Sequence, residues 1–254
     1  MKGEVMTDLI CRNYAHRGFS GEYPENTMIA FEKAIEAGCE GIEMDVHFTK
    51  DGKIVIIHDE LIDRTSDGKG FVKDYTYDEL KKFDFSYTYG DKVGFCRIPT
   101  LEEFMELVHD KDIIINIELK TGIFHYPGIE QAVYDMIKSY DMHDKVVISS
   151  FGHASVMKMK EIDPTIKCGF LTETGILDVG EYIKSHGVEC YHPLFAMLTD
   201  MELVKDIRSH GLEINTWTVN EEPYIEMLCD LKVEGIIGNY PNRTKAVLEK
   251  KGLR

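Results

Sequence analysis

Two histidines, four carboxylates and two cationic side chains lie at or just after short β-branched runs in the first half of the chain. His16 and Arg17 close the first run, Glu43 and Asp45 stand within the second, His58 and Asp59 close the third, and Glu118 and Lys120 end the fourth. Glu43 and Asp45 are two positions apart, as are Glu118 and Lys120, so on strands each pair shares a face. A hydrophobic helix layer is a poor home for three carboxylates and a lysine, because unpaired buried charge is costly. The mouth of a barrel lumen suits them better. Converging carboxylates repel one another unless a cation sits between them, and oxygen-only ligation favours a hard ion, Mg2+ or Ca2+, over zinc. The alternative is a structural salt-bridge network of the same acids with Arg17 and Lys120.

Imidazole titrates near neutral pH, so two histidines beside such a cluster form a natural acid–base pair. One, which we take to be His16, would remove a proton from the attacking hydroxyl, and the other, His58, would protonate the leaving alkoxide. Each such group contributes roughly 10²–10⁴-fold, so the pair supplies at most about 11 kcal/mol. Demanding reactions such as phosphate ester cleavage need about 8–23 kcal/mol or more. A cation polarising the reacting group, with Arg17 and Lys120 as further charge stabilisers, can supply the remainder. The other histidines show no comparable convergence, although His192 ends a strand-like run and could line the mouth.

The elements that must position these groups recur as short β-branched runs alternating with longer amphipathic segments, the pattern of βα units and a parallel sheet. Nine strand candidates stand at 13–16, 41–46, 54–58, 113–119, 146–150, 168–171, 189–192, 213–219 and 235–237. Nine is one too many for an eight-stranded barrel. Asp51-Gly52 is a hairpin signal, which makes the third run an antiparallel return strand above the rim and leaves eight parallel strands. A two-residue loop there would set Lys50 opposite Lys53 and Asp45 opposite His58. Asn26 or Thr27 can cap a helix that stops at Gly38, and Thr100 with Glu103 reads as a capping box. Residues 59–97, with a short helix expected at 77–83, read as a small insertion over the mouth. The expected fold is an α/β chain forming one (β/α)8 TIM barrel over residues 1–254, with a β-hairpin after strand 2 and the insertion before barrel strand 3.

With 43% hydrophobic and 29% charged residues, the composition is that of an ordinary globular protein. A net charge of −16 works against nucleic acid and anionic membrane, both of which are bound mainly through Lys and Arg. No run approaches the roughly 18 apolar residues of a membrane span, and residues 1–12 carry Lys2, Glu4, Asp8 and Arg12 rather than an apolar leader. A cytoplasmic protein without stable membrane association is expected. The six cysteines are scattered and without C-x-x-C spacing, as structural thiols would be.

The residues so assembled resemble the glycerophosphodiester phosphodiesterase family. His16-Arg17-Gly18 followed by Pro24-Glu25-Asn26-Thr27 is similar to its opening signature, joined by 41–46, Thr49-Lys50-Asp51-Gly52 and His58-Asp59. Arg64-Thr65, Ile98-Pro99-Thr100-Leu101, Ile117-Glu118-Leu119-Lys120, Trp217-Thr218-Val219 and Tyr240-Pro241 extend the match across nearly the whole chain. The resemblance implies hydrolysis of small glycerophosphodiesters to glycerol 3-phosphate and an alcohol. His16 and His58 would be the acid–base pair, and Glu43, Asp45 and Glu118 would ligate one divalent cation, Mg2+ or Ca2+. Arg17 and Lys120 would hold phosphate, and Trp217 would line the glycerol pocket. One departure stands at 238–242, where Gly-Asn-Tyr-Pro-Asn replaces a Thr-Asp-Tyr-Pro-Asp-like segment, so a charged role there is in doubt. Two other readings remain. One is a lysophospholipase D or sphingomyelinase D-like activity, for which aromatic residues such as Tyr75, Tyr77, Phe83, Phe85, Tyr87 and Tyr89 would need to form an exposed patch rather than the insertion's own core. The other is a non-catalytic metal- and phosphate-binding module.

Overall fold

The computed structural model describes residues 11–86 and 89–254. Tyr87 and the segment 1–10, on which two of the expectations above partly rest, lie outside the described residues. Eight parallel strands close into a ring: β1 (Arg12–His16), β2 (Gly41–Phe48), β4 (Ile114–Leu119), β5 (Val146–Ser150), β6 (Lys167–Thr172), β7 (Cys190–Pro193), β8 (Glu213–Thr216) and β9 (Gly235–Gly238), with β9 pairing back onto β1. A ninth strand, β3 (Ile54–Ile56), lies outside the ring, antiparallel to β2. Among the described residues, eight helices cover the ring: α1 (Met28–Glu36), α3 (Leu101–Val108), α4 (Ile129–Ser139), α5 (His153–Ile162), α6 (Val179–Ser185), α7 (Met201–Ser209), α8 (Glu222–Asp230) and α9 (Pro241–Lys250). This is a TIM barrel with one extra strand. Among the described residues, no helix is long and apolar enough to cross a membrane, and all six cysteines are free.

Residues paired across neighbouring strands face the same side of a sheet, so register decides what enters the lumen. The pairs His16↔Glu43, Glu43↔Asn116 and Asp45↔Glu118 put those five side chains on one face. The alternate positions Ile42, Met44, Val46, Ile115, Ile117 and Leu119 are buried in the main core beneath the helices. The helix starts follow local chemistry. Thr27 caps α1 through its side chain, and Thr100 and Glu103 exchange the two hydrogen bonds of a capping box at α3. Phe31 of α1 and Phe104 of α3 then meet edge to face with centroids 4.8 Å apart.

The hairpin register differs from the sequence expectation by one residue. Thr49, not Lys50, faces Lys53, and Ile57 N–H donates to the Asp45 carbonyl at 3.0 Å, so Asp45 stands opposite Ile57 rather than His58. The loop therefore has three residues, with Gly52 at φ +76°, a left-handed conformation that glycine enters without steric cost. Thr49 closes it, accepting from Lys53 N–H at 2.9 Å and donating to Asp51 at 2.6 Å. The strand also ends at Ile56, two residues before His58, and β8 ends at Thr216 rather than at 219.

The strand β3 divides two cores. Ile54 and Ile56 pack in the main core, whereas Val55 joins Ile57, Ile62, Val72, Leu80, Phe85 and Ile98 in a second cluster under the insertion. Tyr75, Tyr77 and Phe83 pack against that second cluster, and Tyr89 donates to the Ser20 carbonyl at 3.0 Å. Tyr75, Tyr77, Phe83 and Phe85 thus serve the insertion's interior, whereas Tyr89 ties the insertion to the loop after β1. Its helix α2 (Tyr77–Leu80) is shorter than expected, and a turn carries the chain on to Phe83.

If this packing holds the barrel wall, Phe104→Ala should lower the unfolding free energy by about 3–5 kcal/mol, and Thr100→Ala by about 1 kcal/mol. Urea unfolding followed by far-UV circular dichroism measures both. Equal small losses would contradict the central place given to Phe104.

Candidate active site

At the C-terminal end of the ring, β2 and β4 bring Glu43, Asp45 and Glu118 together, with one carboxylate oxygen of each within 4.8 Å of the others. All three are buried. Asn26, lifted into position by a backbone at φ +55°, donates through its amide to Asp45 Oδ2 at 2.9 Å. The other oxygen, Oδ1, is buried without a hydrogen-bond partner, and Lys120 Nζ lies 3.8 Å away. Lys120 reaches Glu118 Oε1 at 2.9 Å, and Arg17 Nε lies 3.5 Å from Asp45 Oδ2. Burial raises the Glu43 carboxyl well above its usual range, and the Asp45 charge adds to this. Glu118 is raised for the same two reasons, with Lys120 opposing. Burial also pushes on Asp45, but Arg17 and Lys120 outweigh it and hold that carboxyl below the usual range. Three buried carboxylates, all oxygen donors, with one oxygen left unpaired, fit a hard divalent cation.

His16 ends β1 beside this cluster. Its Nδ1 lies 2.6 Å from Asn239 Oδ1, just beyond β9, and its Nε2 lies 3.9 Å from Glu43 Oε2. Burial, with the Arg17 charge, lowers the His16 pKa to about 4, so the ring is neutral at physiological pH. Arg17 itself turns back with φ +56°, a left-handed conformation costing a residue other than glycine roughly 1–2 kcal/mol. Its N–H bonds to Glu43, both carbonyl and carboxylate, offset that cost.

His58 arrives from the hairpin side. Its Nδ1 contacts Asp59 Oδ1 at 2.6 Å, and its Nε2 lies 3.2 Å from Lys120 Nζ. Asp59 is held by Arg64, which also forks onto Glu25 at 2.8 Å, and Glu25 accepts from Arg17 at 2.9 Å. An unbroken ionic chain Arg17–Glu25–Arg64–Asp59 therefore links the loop after β1 to the ring of His58. The hydrogen bonds from His58 and Arg64 overcome burial and keep Asp59 ionised well below the usual range.

The opposite wall is apolar. Trp217, just past β8, donates to the His192 carbonyl at 2.9 Å and meets Phe151 edge to face with centroids 5.5 Å apart. A cavity bounded by His16, His58, Glu118, Phe151, Leu171 and Trp217 opens between the charged and aromatic walls. His192, once a candidate for the mouth, is buried in the lumen and bonded to Asn215 at 3.1 Å; burial lowers its pKa to about 3.

Of the eight site residues named from the sequence, His16, Arg17, Glu43, His58, Glu118 and Trp217 line this cavity, whereas Asp45 and Lys120 stand behind it, against Arg17 and Glu118. Sequence reasoning missed Asn239, Phe151 and the part that Asn26 plays on Asp45. Asn239 follows from the strand register: Ala15 pairs with Gly238, so the inward positions at β9 run Gly235, Ile237 and then Asn239. Phe151 continues the inward run of β5, where Ser149 pairs with Glu118.

A closed parallel barrel with its polar side chains gathered at the C-terminal mouth defines a TIM-barrel enzyme. The profile of the glycerophosphoryl diester phosphodiesterase family matches residues 16–243. A glycerophosphodiester phosphodiesterase of Caldanaerobacter subterraneus is 42% identical over 238 residues, 94% of this chain and 98% of the relative. One from Bacillus altitudinis is also 42% identical, over 93% of this chain and 97% of the relative. An Oleispira antarctica phosphodiesterase, solved in complex with the product sn-glycerol-3-phosphate, superposes with a TM-score of 0.87 at 26% identity, covering 94% of this chain and 97% of that one. The chain belongs to the glycerophosphoryl diester phosphodiesterase family.

A raised carboxyl binds its proton more tightly in the native state than in the unfolded chain. Above about pH 4.3 the Glu43 proton is therefore retained preferentially by the native state, and stability falls as pH rises. In EDTA, Glu43→Gln should accordingly unfold at a higher temperature than the parent at pH 8, with the gap closing near pH 4. Calorimetry at both pH values checks the sign, and a gap independent of pH would contradict the assigned cause.

Proposed function

We propose that the protein is a metal-dependent glycerophosphodiester phosphodiesterase, releasing glycerol 3-phosphate and an alcohol. The observation carrying this reading is the buried trio Glu43, Asp45 and Glu118 lying between two histidines whose Nδ1 atoms are each tied down by a side-chain oxygen. Family membership and the glycerol phosphate held by the Oleispira relative support the choice of substrate. The whole chain acts in this reading as one catalytic domain with its insertion over the mouth.

A divalent cation, Mg2+ or Ca2+, held by Glu43, Asp45 and Glu118 would supply Lewis acidity toward a phosphoryl oxygen and positive charge in a protein of net charge −16. His16, neutral and with Nε2 facing the cluster, takes the proton of the attacking hydroxyl. His58 gives a proton to the departing alkoxide, its ring steadied by Asp59 as the carboxylate of a catalytic triad steadies its histidine. Lys120 and Arg17 already face the carboxylates, so both stand where negative charge on the phosphoryl group would be met. Trp217 and Phe151 form the surface against which the glycerol carbons pack.

A second reading, a lysophospholipase D-like activity, draws on Leu61, Phe71 and Ile123, which are exposed on the segments that follow β3 and β4. The deciding assay measures glycerol 3-phosphate released from glycerophosphocholine and glycerophosphoethanolamine in EDTA, then with Mg2+ or Ca2+ restored. Turnover should vanish in EDTA and return with metal, and His16→Ala and His58→Ala should each lose roughly 10²–10⁴-fold in kcat. Turnover confined to lysophosphatidylcholine would favour the second reading, and near-full activity in both histidine variants would refute the acid–base assignment.

A further inference from the structure

A neutral imidazole carries one N–H, and its placement decides whether the nitrogen facing the substrate can accept a proton. For His58 the partner at Nδ1 is a carboxylate, Asp59, which can only accept. For His16 the partner is the carboxamide of Asn239, which can present either an acceptor oxygen or a donor amide group. The oxygen faces Nδ1 at 2.6 Å, the arrangement in which a proton on Nδ1 satisfies both groups and leaves the Nε2 lone pair turned toward Glu43.

The backbone leaves Asn239 little freedom. Its N–H donates to the Asn220 side chain at 2.9 Å, and its carbonyl accepts from Gly21 N–H at 2.9 Å. Arg243 in turn donates to the Asn220 carbonyl, steadying the segment that offers the first of these bonds. The preceding residue must be glycine, because a Cβ at Gly238 would come within 2.2 Å of the Val219 carbonyl oxygen. The chain leaving β9 is thus pressed against the chain leaving β8, and this close approach delivers the Asn239 side chain to His16.

We propose that Asn239 is a positioning residue that accepts the Nδ1–H of His16 through its amide oxygen and so holds the tautomer in which Nε2 is free to take a proton. This deepens the assignment of His16 as general base and rests on it. Asn239 touches neither substrate nor metal ligand in this role. It acts through the orientation and tautomer of one ring.

Two measurements test it. In the parent protein labelled with 15N-histidine, the His16 resonances, assigned by their loss in His16→Ala, should show a protonated Nδ1 and an unprotonated Nε2 when the ring is neutral. In kinetics on glycerophosphocholine, Asn239→Leu, similar in volume but without an acceptor, should lower kcat about 10- to 100-fold with KM little changed. Asn239→Asp, which can only accept, should recover most of kcat. An Nε2–H tautomer in the parent would overturn the proposal, as would an Asn239→Asp variant no better than Asn239→Leu. The tautomer measurement uses the unaltered chain and remains decisive should Asn239→Leu fail to fold. If His16→Ala keeps the parent kcat, the base assignment fails and takes the catalytic role of Asn239 with it. If His16→Ala is inactive while Asn239→Leu is fully active, the positioning role alone is overturned.

Discussion

The structure is organised around a repulsion. Glu43, Asp45 and Glu118 are forced by strand register into one buried space, where like charges cannot all persist without compensation. The surrounding side chains answer that problem in parts. Lys120 and Arg17 bring positive charge to within 3.8 and 3.5 Å of Asp45, and the Asn26 amide satisfies one of its oxygens. The compensation is incomplete, since Asp45 Oδ1 stays unbonded and the Glu43 and Glu118 carboxyls remain raised. Asn116, Ser149 and Asn215 also leave buried oxygens unpartnered, so what sets the acidic cluster apart is its concentrated charge, the feature on which the proposed cation site rests.

Around that cluster the two histidines are held by different means. His16 belongs to the ring of strands, and its partner Asn239 belongs to the neighbouring strand end. His58 lies beyond the end of a return strand, where His47 Nε2 meets its carbonyl at 3.1 Å and its ring is held between Lys120 and Asp59, itself bonded to Arg64. The ionic chain through Glu25 then ties this less regular segment to the loop after β1. Part of that chain is half exposed, where a single ion pair contributes little, but linked bidentate pairs have better geometry than isolated ones.

The strand pattern was legible because period-2 burial leaves a plain mark: Glu43 and Asp45 alternate with Ile42, Met44 and Val46, and the polar set can face only the lumen. Capping residues were equally readable at Thr27 and Thr100. Register within the hairpin was not, since Asp51-Gly52 fits a two- or a three-residue loop. The choice fell to Thr49, whose hydroxyl serves both Lys53 and Asp51. Asn239 escaped notice for another reason. Read along the chain it was an acid turned amide, whereas its contact with His16 joins positions 223 apart in sequence. Contacts that join the first strand of a closed barrel to its last leave no local signature.

The placement of β3 between two cores has a consequence for how this barrel can be rebuilt. Alternate residues of one short strand belong to different interiors, Ile54 and Ile56 to the barrel and Val55 to the insertion. A transplant that cut the chain at the visible edges of the insertion would carry away half of a packed interface and leave Val55 facing nothing. The natural seams lie further out, in the hairpin turn at Gly52 and at Pro99, where the Ile56 N–H meets the Pro99 carbonyl at 2.9 Å. The exchangeable module is therefore strand plus insertion, and His58 travels with it. A barrel of this design that acquires a new cover acquires, in the same step, a new setting for one of the two histidines proposed to carry protons.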